Sequence, residues 1–325
     1  MKVKQMKPMV ILTGPTAVGK TALSIELAKK INGAIISADS MQIYKHMDIG
    51  SAKIMPQEMK GISHYMIDEL EPEEEFHVVR FVELAKKYLE EIYAAGKIPI
   101  IAGGTGFYIQ ALLYDIDFTD QESDEAYRRE LETLAKEQGA ERLHEMLREV
   151  DSASATAIHA NNIKRVIRAL EFYHLTGERI SEHNERERQK TSPYNFAYFV
   201  LTDDRANLYR RIDKRVDVMV EQGLVEEVKK LRQMGCHREM VSMQGLGYKE
   251  ILAYLDGELT LEEAIYIIKR ETRHFAKRQL TWFKREREVL WIDKKAYNYQ
   301  EEKILFDMIR ILEEKEIIIS KNSER

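Results

Sequence analysis

Eight residues near the start of the chain, Gly14-Pro15-Thr16-Ala17-Val18-Gly19-Lys20-Thr21, match the pattern G-x-x-x-x-G-K-[ST]. In that pattern a glycine-bearing turn aims several backbone N–H groups at one phosphate chain. Gly14 and Gly19 let the backbone curl. Lys20 brings positive charge to the outer phosphates, and the Thr21 hydroxyl is a ligand for Mg²⁺. Two further clusters carry reactive types, Asp39-Ser40 and Gly103-Gly104-Thr105-Gly106. A carboxylate facing bound phosphates can take a proton from a nucleophile, or hold the metal of a hydrolase. The residue types alone leave both roles open.

These groups need elements to hold them. Met9–Thr13 is a short apolar run of strand type, and Thr21–Ile31 reads as a helix with Leu23, Leu27 and Ala28 on one side and Gly33 just past its end. The helix N-terminus is thereby aimed at the bound anion. Ala34–Ser37 is a second strand, Ile98–Ala102 a third, Phe196–Leu201 a fourth and Val289–Asp293 a fifth. Pro99 argues that the third lies at an edge or begins there. Phe76–Ala95 has the apolar spacing of an amphipathic helix. Strands alternating with helices predict an α/β fold, a P-loop NTPase-like parallel sheet flanked by helices. Its ligand lies beyond the C-terminal strand ends, where the three polar clusters converge.

The alternation breaks in the middle. Residues 118–192 show no strand signal and read as an inserted all-helical subdomain of three or so helices, Asp124–Gln138, Ala140–Glu149 and Ile163–Thr176. Glu178–Lys190 is charge-mixed and expected to be exposed and mobile. The core is then 1–117 plus 193–325. Lys164, Arg165 and Arg168 share one stretch of insert helix, and Arg211 and Arg215 sit four apart on a later one. A long helix over Ala264–Arg287 carries eight basic and two acidic residues. Ile268, Phe275 and Trp282 recur every seven and predict its buried seam, with Arg273, Lys277 and Lys284 as a separate basic stripe. The formal net charge is −5, so a basic stripe points to a polyanionic partner bound locally.

With 325 residues, 44% of them hydrophobic, the chain has ample material for a core. One cysteine, Cys236, excludes an internal disulfide framework and a cysteine-ligated zinc site, and suits the reducing cytoplasm. Lys2, Lys4 and Lys7 precede an apolar run too short for a signal peptide, and no run is long enough to cross a membrane.

An ordered set of motifs resembles the tRNA dimethylallyltransferase (tRNA isopentenyltransferase) family. The set is Gly14–Thr21, Ser37–Tyr44, Met47–Lys53, Gly103–Tyr108, Arg168–Glu171, Gly245–Glu250 and Thr272–Phe283. The chain departs from the family at Ser51, where a threonine is usual, at Asn162, where an aspartate is usual, and at Tyr65, where a second histidine is usual. The resemblance implies transfer of a dimethylallyl group from its diphosphate to N6 of adenosine 37, with Mg²⁺ as cofactor and a helical insert that clasps the anticodon stem-loop. It implies that Gly14 to Thr21 hold the diphosphate, helped by Arg215, and that Asp39 is the general base with Thr105 beside it. Ser40, Met41 and Gln42 would read a flipped adenine. Arg128, Lys164, Arg165, Arg168, Arg273, Lys277 and Arg278 would contact tRNA. The alternatives are an adenylate isopentenyltransferase or small-molecule kinase, and a nucleic-acid-binding ATPase; neither nucleotide enzyme needs the insert or the basic helix.

Overall fold

Six strands form one sheet in the order β3-β2-β4-β1-β5-β6, and every pairing is parallel. The structure is a computed structural model that describes residues 6–118 and 124–319. The chain divides into two compact units, Met1–Leu113 with Pro193–Arg325, and Tyr114–Ser192. Lys2, Lys4 and the last six residues, 320–325, lie outside the described residues.

The first unit begins with β1 (Lys7–Thr13), α1 (Lys20–Ile31), β2 (Gly33–Ala38), β3 (His64–Tyr65), α2 (Val78–Ala94), β4 (Ile98–Gly103) and α3 (Gly106–Leu113). Its strands are apolar throughout because both faces are covered: the last five residues of β1 and all six of β2 are buried. Helix α1 ends on Asn32, whose left-handed backbone (φ +52°) returns its N–H to the Ala28 carbonyl. The expected stop, Gly33, instead opens β2 in a tight place, where a Cβ would lie 3.0 Å from Ile100 Cδ1.

Pro99 lies on an interior strand and not at an edge, because β4 sits between β2 and β1. The β1–β4 register starts at Val10 and Ile100, one residue past the proline. There the Tyr93 hydroxyl donates to the Pro8 carbonyl at 2.9 Å. A side chain from α2 thus satisfies a β1 carbonyl at the end of the ladder where proline has no N–H to give.

The second unit holds α4 (Glu125–Gln138), α5 (Ala140–Val150), α6 (Ser152–Ala157), α7 (Ile163–Thr176) and α8 (Ile180–Gln189), around Leu131, Leu143, Leu147, Val166 and Leu170. The charged stretch expected to be mobile is therefore helix α8. Its first turn is pinned by buried Asp151, which accepts from the Ser181 N–H (3.0 Å) and hydroxyl (2.8 Å). Near its end Glu187 accepts from the Asp117 N–H at 2.9 Å. Charge content hid these anchors, which join residues far apart in sequence.

The chain then completes the first unit with β5 (Tyr194–Thr202), α9 (Arg205–Glu221), α10 (Leu224–Gln233), α11 (Tyr248–Leu255), α12 (Leu261–Phe283), β6 (Val289–Asp293) and α13 (Glu301–Glu314). The buried face of α12 is Ala264, Ile268, Ala276, Gln279 and Phe283, while Phe275 and Trp282 are half-exposed. A straight helix keeps one face inward at 3.6 residues per turn, so an expected seven-residue seam drifts off it. Beyond α13, Ile317 is buried in the core that also holds Leu27 and Met308.

Candidate active site

The phosphate loop follows β1 and needs its glycines. Gly14 has φ +144°, and a Cβ there would lie 2.5 Å from the Leu201 carbonyl oxygen at the end of β5. Gly19 caps α1 at φ +100°. Ala17 also takes a left-handed backbone, φ +64°, a strain of about 1 kcal/mol. Lys20 Nζ donates to the carbonyls of Gly14 and Pro15, both at 2.9 Å. Burial, and then the neighbouring Arg215, lower the Lys20 pKa to about 8, with Asp39 opposing. Arg215 is pushed below its ordinary value by burial and by Arg211, again against Asp39. Buried Lys294, just past β6, lies 3.4 Å from the Val18 carbonyl and pairs with Glu301 at 3.4 Å. A Cβ on Gly19 would meet Lys294 Nζ at 3.0 Å and Arg211 Nη2 at 3.4 Å. Four cations therefore gather at one glycine-bearing turn. The sequence reading assigned no role to Lys294.

Asp39 and Thr105 stand at the ends of neighbouring strands, β2 and β4. Asp39 Oδ1 accepts from the Met41 N–H at 2.9 Å, and its charge acts on both Lys20 and Arg215. The Thr105 N–H donates to the Ala38 carbonyl at 3.1 Å, beside Asp39. The glycines around Thr105 are steric: a Cβ at Gly103 would lie 2.2 Å from the Ala38 carbonyl oxygen, at Gly104 2.2 Å from Gln279 Nε2, and at Gly106 2.2 Å from Trp282 Cδ1. Gln279 is buried and bridges two loops. Its Oε1 accepts from the Thr16 N–H at 2.8 Å and its Nε2 donates to the Gly104 carbonyl at 2.9 Å. Thr21 is exposed in the first turn of α1. Among the described residues no group of three or more His, Cys, Asp or Glu side chains could hold a metal ion.

Ser40, Met41 and Gln42 are half-buried after Asp39. Gln42 is committed to scaffolding: its Oε1 accepts from the Ser37 hydroxyl at 3.3 Å and its Nε2 donates to the Ser51 and Ala52 carbonyls at 3.4 and 3.2 Å. Met41 packs over Gly245, where a Cβ would lie 2.5 Å from its methyl carbon. The turn after it is closed from α10. The Glu227 carboxylate accepts from the N–H groups of Asp48 (2.9 Å), Ile49 (2.7 Å) and Gly50 (3.0 Å), and from the Tyr248 hydroxyl (2.8 Å). Gly50 is needed there, because a Cβ would enter the Tyr248 ring at 2.5 Å. Buried Lys53 ties the same turn to Asp48 and Asp68.

In the second unit Lys164 and Arg165 are exposed. Arg128 and Arg168 converge on the fully buried Glu171 carboxylate, at 2.7 and 3.2 Å, with both guanidinium groups still accessible. On α12, Arg273 is paired with Asp213 and Lys269 with Asp217, whereas Lys277 and Arg278 are exposed.

The family described as "IPP transferase" matches residues 42–286. The tRNA dimethylallyltransferase of Lachnoclostridium phytofermentans is 63% identical over 313 residues, covering 96% of this chain and all of that protein. The crystal structure of the tRNA isopentenylpyrophosphate transferase from Bacillus halodurans superposes with a TM-score of 0.72 at 45% identity, over 95% of this chain and 98% of that one. A eukaryotic dimethylallyltransferase described as acting on tRNA superposes at 0.76 with 32% identity, over 88% of this chain and 74% of that one.

Proposed function

Given that the chain belongs to the tRNA dimethylallyltransferase (IPP transferase) family and is a transferase of that class, we propose that it moves a dimethylallyl group from dimethylallyl diphosphate to N6 of adenosine 37, beside the tRNA anticodon. The observation that carries the residue roles is the place of Asp39 at the end of β2, beside Thr105 at the end of β4, where its charge acts on Lys20 of the loop and on Arg215. Gly14 to Thr21 hold the diphosphate. As the bond between the allylic carbon and the diphosphate oxygen breaks, negative charge builds on the leaving group. The loop N–H groups, protonated Lys20 and Arg215 stabilise that charge. The N6 lone pair forms the new bond to the allylic carbon, and its proton passes to the Asp39 carboxylate. Thr105 orients the amine, and Ser40 and Met41 flank the flipped base, with Gln42 holding their loop. The products are the N6-alkylated adenosine and diphosphate.

The Thr21 hydroxyl is a hard oxygen donor at the end of the loop. It would hold a Mg²⁺ ion whose other ligands are substrate oxygens and water, and the ion would add positive charge at the leaving group. The insert, 118–192, contacts the anticodon stem-loop through Arg128, Lys164, Arg165 and Arg168, and α12 contacts phosphates through Lys277, Arg278 and Arg273. No helix among the described residues is long and apolar enough to cross a membrane, and a lone buried thiol, Cys236, suits a cytoplasmic enzyme. The test is incubation with labelled dimethylallyl diphosphate and either unmodified tRNA or AMP. Label is expected in tRNA alone; label in AMP alone would replace this reading with a nucleotide-modifying one.

A further inference from the structure

Gln279 stands between the two loops that carry the proposed chemistry. It is 6% exposed, and both ends of its amide are bonded to backbone. The partners fix the amide orientation, since the Thr16 N–H needs an acceptor and the Gly104 carbonyl needs a donor. A residue that only filled space here would carry no polar atoms, because burying an amide is costly unless both ends are bonded. The neighbouring backbone is shaped to it: Gly104 lacks a Cβ where Nε2 sits, and one turn further along α12 Trp282 lies against Gly106 in the same way. The Thr105 N–H is in turn bonded to Ala38, next to Asp39. One side chain therefore links the loop for the leaving group to the strand ends that carry the base and the amine-orienting hydroxyl.

We propose that Gln279 is a positioning residue for the transfer step, setting the spacing between the diphosphate-holding loop and the Thr105–Asp39 side of the cleft without touching either substrate. This rests on the roles assigned above to the loop, Asp39 and Thr105. Such a residue acts on the rate of the bound complex more than on binding, because small misplacements of reacting groups cost about 10²-fold.

The experiment uses the full chain with tRNA and dimethylallyl diphosphate in single-turnover mode, and inorganic diphosphate as the binding probe. Gln279→Met keeps the volume and removes both hydrogen bonds. Its transfer rate should fall about 10- to 100-fold, with diphosphate affinity changed less than about threefold. Gln279→Glu is the sharper variant. Ionised, its carboxyl accepts from Thr16 but cannot donate to Gly104; protonated, it does both. The ratio of its rate to that of the parent should therefore rise about fivefold or more between pH 8.5 and pH 6. A Gln279→Met rate within twofold of the parent overturns the proposal. So does a rate loss matched by an equal loss of diphosphate affinity, or a Gln279→Glu ratio that is flat with pH. Failure of the Asp39 assignment reads differently: Asp39→Asn would then turn over at the parental rate, whatever the Gln279 variants do.

Discussion

Two glycine-bearing turns of the first unit differ in the sign of the charge set against them. The phosphate loop, Gly14 to Thr21, is ringed by Lys20, Arg211, Arg215 and Lys294. The turn over Asp48, Ile49 and Gly50 is filled by the chain's own Glu227 carboxylate. In the first, burial and then neighbouring positive charge shift Lys20 and Arg215 toward their neutral forms, with Asp39 opposing. That arrangement is unfavourable until an outside anion arrives. In the second, the anion is internal and its partners are satisfied. On the proposed reading, a turn whose anion comes from outside is a binding site, and one to which a glutamate of the chain supplies it is a clasp.

That contrast predicts separate losses. The largest expected effect is on chemistry: Asp39→Asn should lower the single-turnover transfer rate by about 10²- to 10⁴-fold, with inorganic diphosphate bound nearly as before. A variant near the parental rate would remove the general-base role, and one that abolishes Mg²⁺-dependent diphosphate binding would make Asp39 a metal ligand. Next, Glu227→Ala should cost about 2 kcal/mol of stability by leaving three N–H groups and a tyrosine hydroxyl without their acceptor. Lys20→Met should cost less, because losing its bonds to the Gly14 and Pro15 carbonyls is offset by relief of a cation that burial and Arg215 already disfavour. Denaturant midpoints for the two variants check both statements, and equal losses would erase the distinction between site and clasp.

A smaller effect follows from the sign of the Lys20 shift. Its pKa is about 8 in the free protein, and diphosphate favours the protonated form. As pH rises above 8, binding must draw a proton, so affinity should fall by up to about tenfold per unit. Lys20→Arg, which stays charged, controls for titration of the ligand itself, and affinities measured from pH 7 to 10 should diverge between the two proteins above pH 8. If the two curves run parallel, Lys20 is not the group that titrates. Smallest of all, Lys277→Ala should flatten the salt dependence of tRNA binding by about one unit. Arg273→Ala should change the slope less, because Asp213 already neutralises that guanidinium. Equal slopes for both variants would argue against that ranking.

Local chemistry was legible in the sequence wherever one segment carried all of it. The phosphate loop, the strand before it and the helix after it are contiguous, so residue types and period sufficed. The strand-end positions of Asp39 and Thr105 followed from the same alternation. Strand β3 has only two residues, too few for any pattern. Gln279 and Glu227 act on loops 263 and 179 residues away, and nothing near them announces the partner. The signal lay on the other side, in glycines at 104, 106 and 50 whose missing side chains make room for Gln279, Trp282 and Tyr248. The seven-residue repeat on α12 misled because Phe275 and Trp282 are only partly buried, while Ala276, Gln279 and Phe283 make up the buried face beside them.

The order in which the chain is made gives the Gln279 bridge another consequence. The phosphate loop ends at Thr21, but its partners Gln279 and Lys294 lie 263 and 276 positions beyond the residues they bond. At about 5–20 residues per second on the ribosome, the loop waits roughly ten seconds to a minute for them. Through that interval the nascent chain carries a bare glycine turn, unsupported at Thr16 and open at Val18. On the proposed reading, the spacing of the loop against the base side of the cleft is therefore set late, with the segment that follows α11, and a chain truncated before α12 would keep the signature sequence without its support.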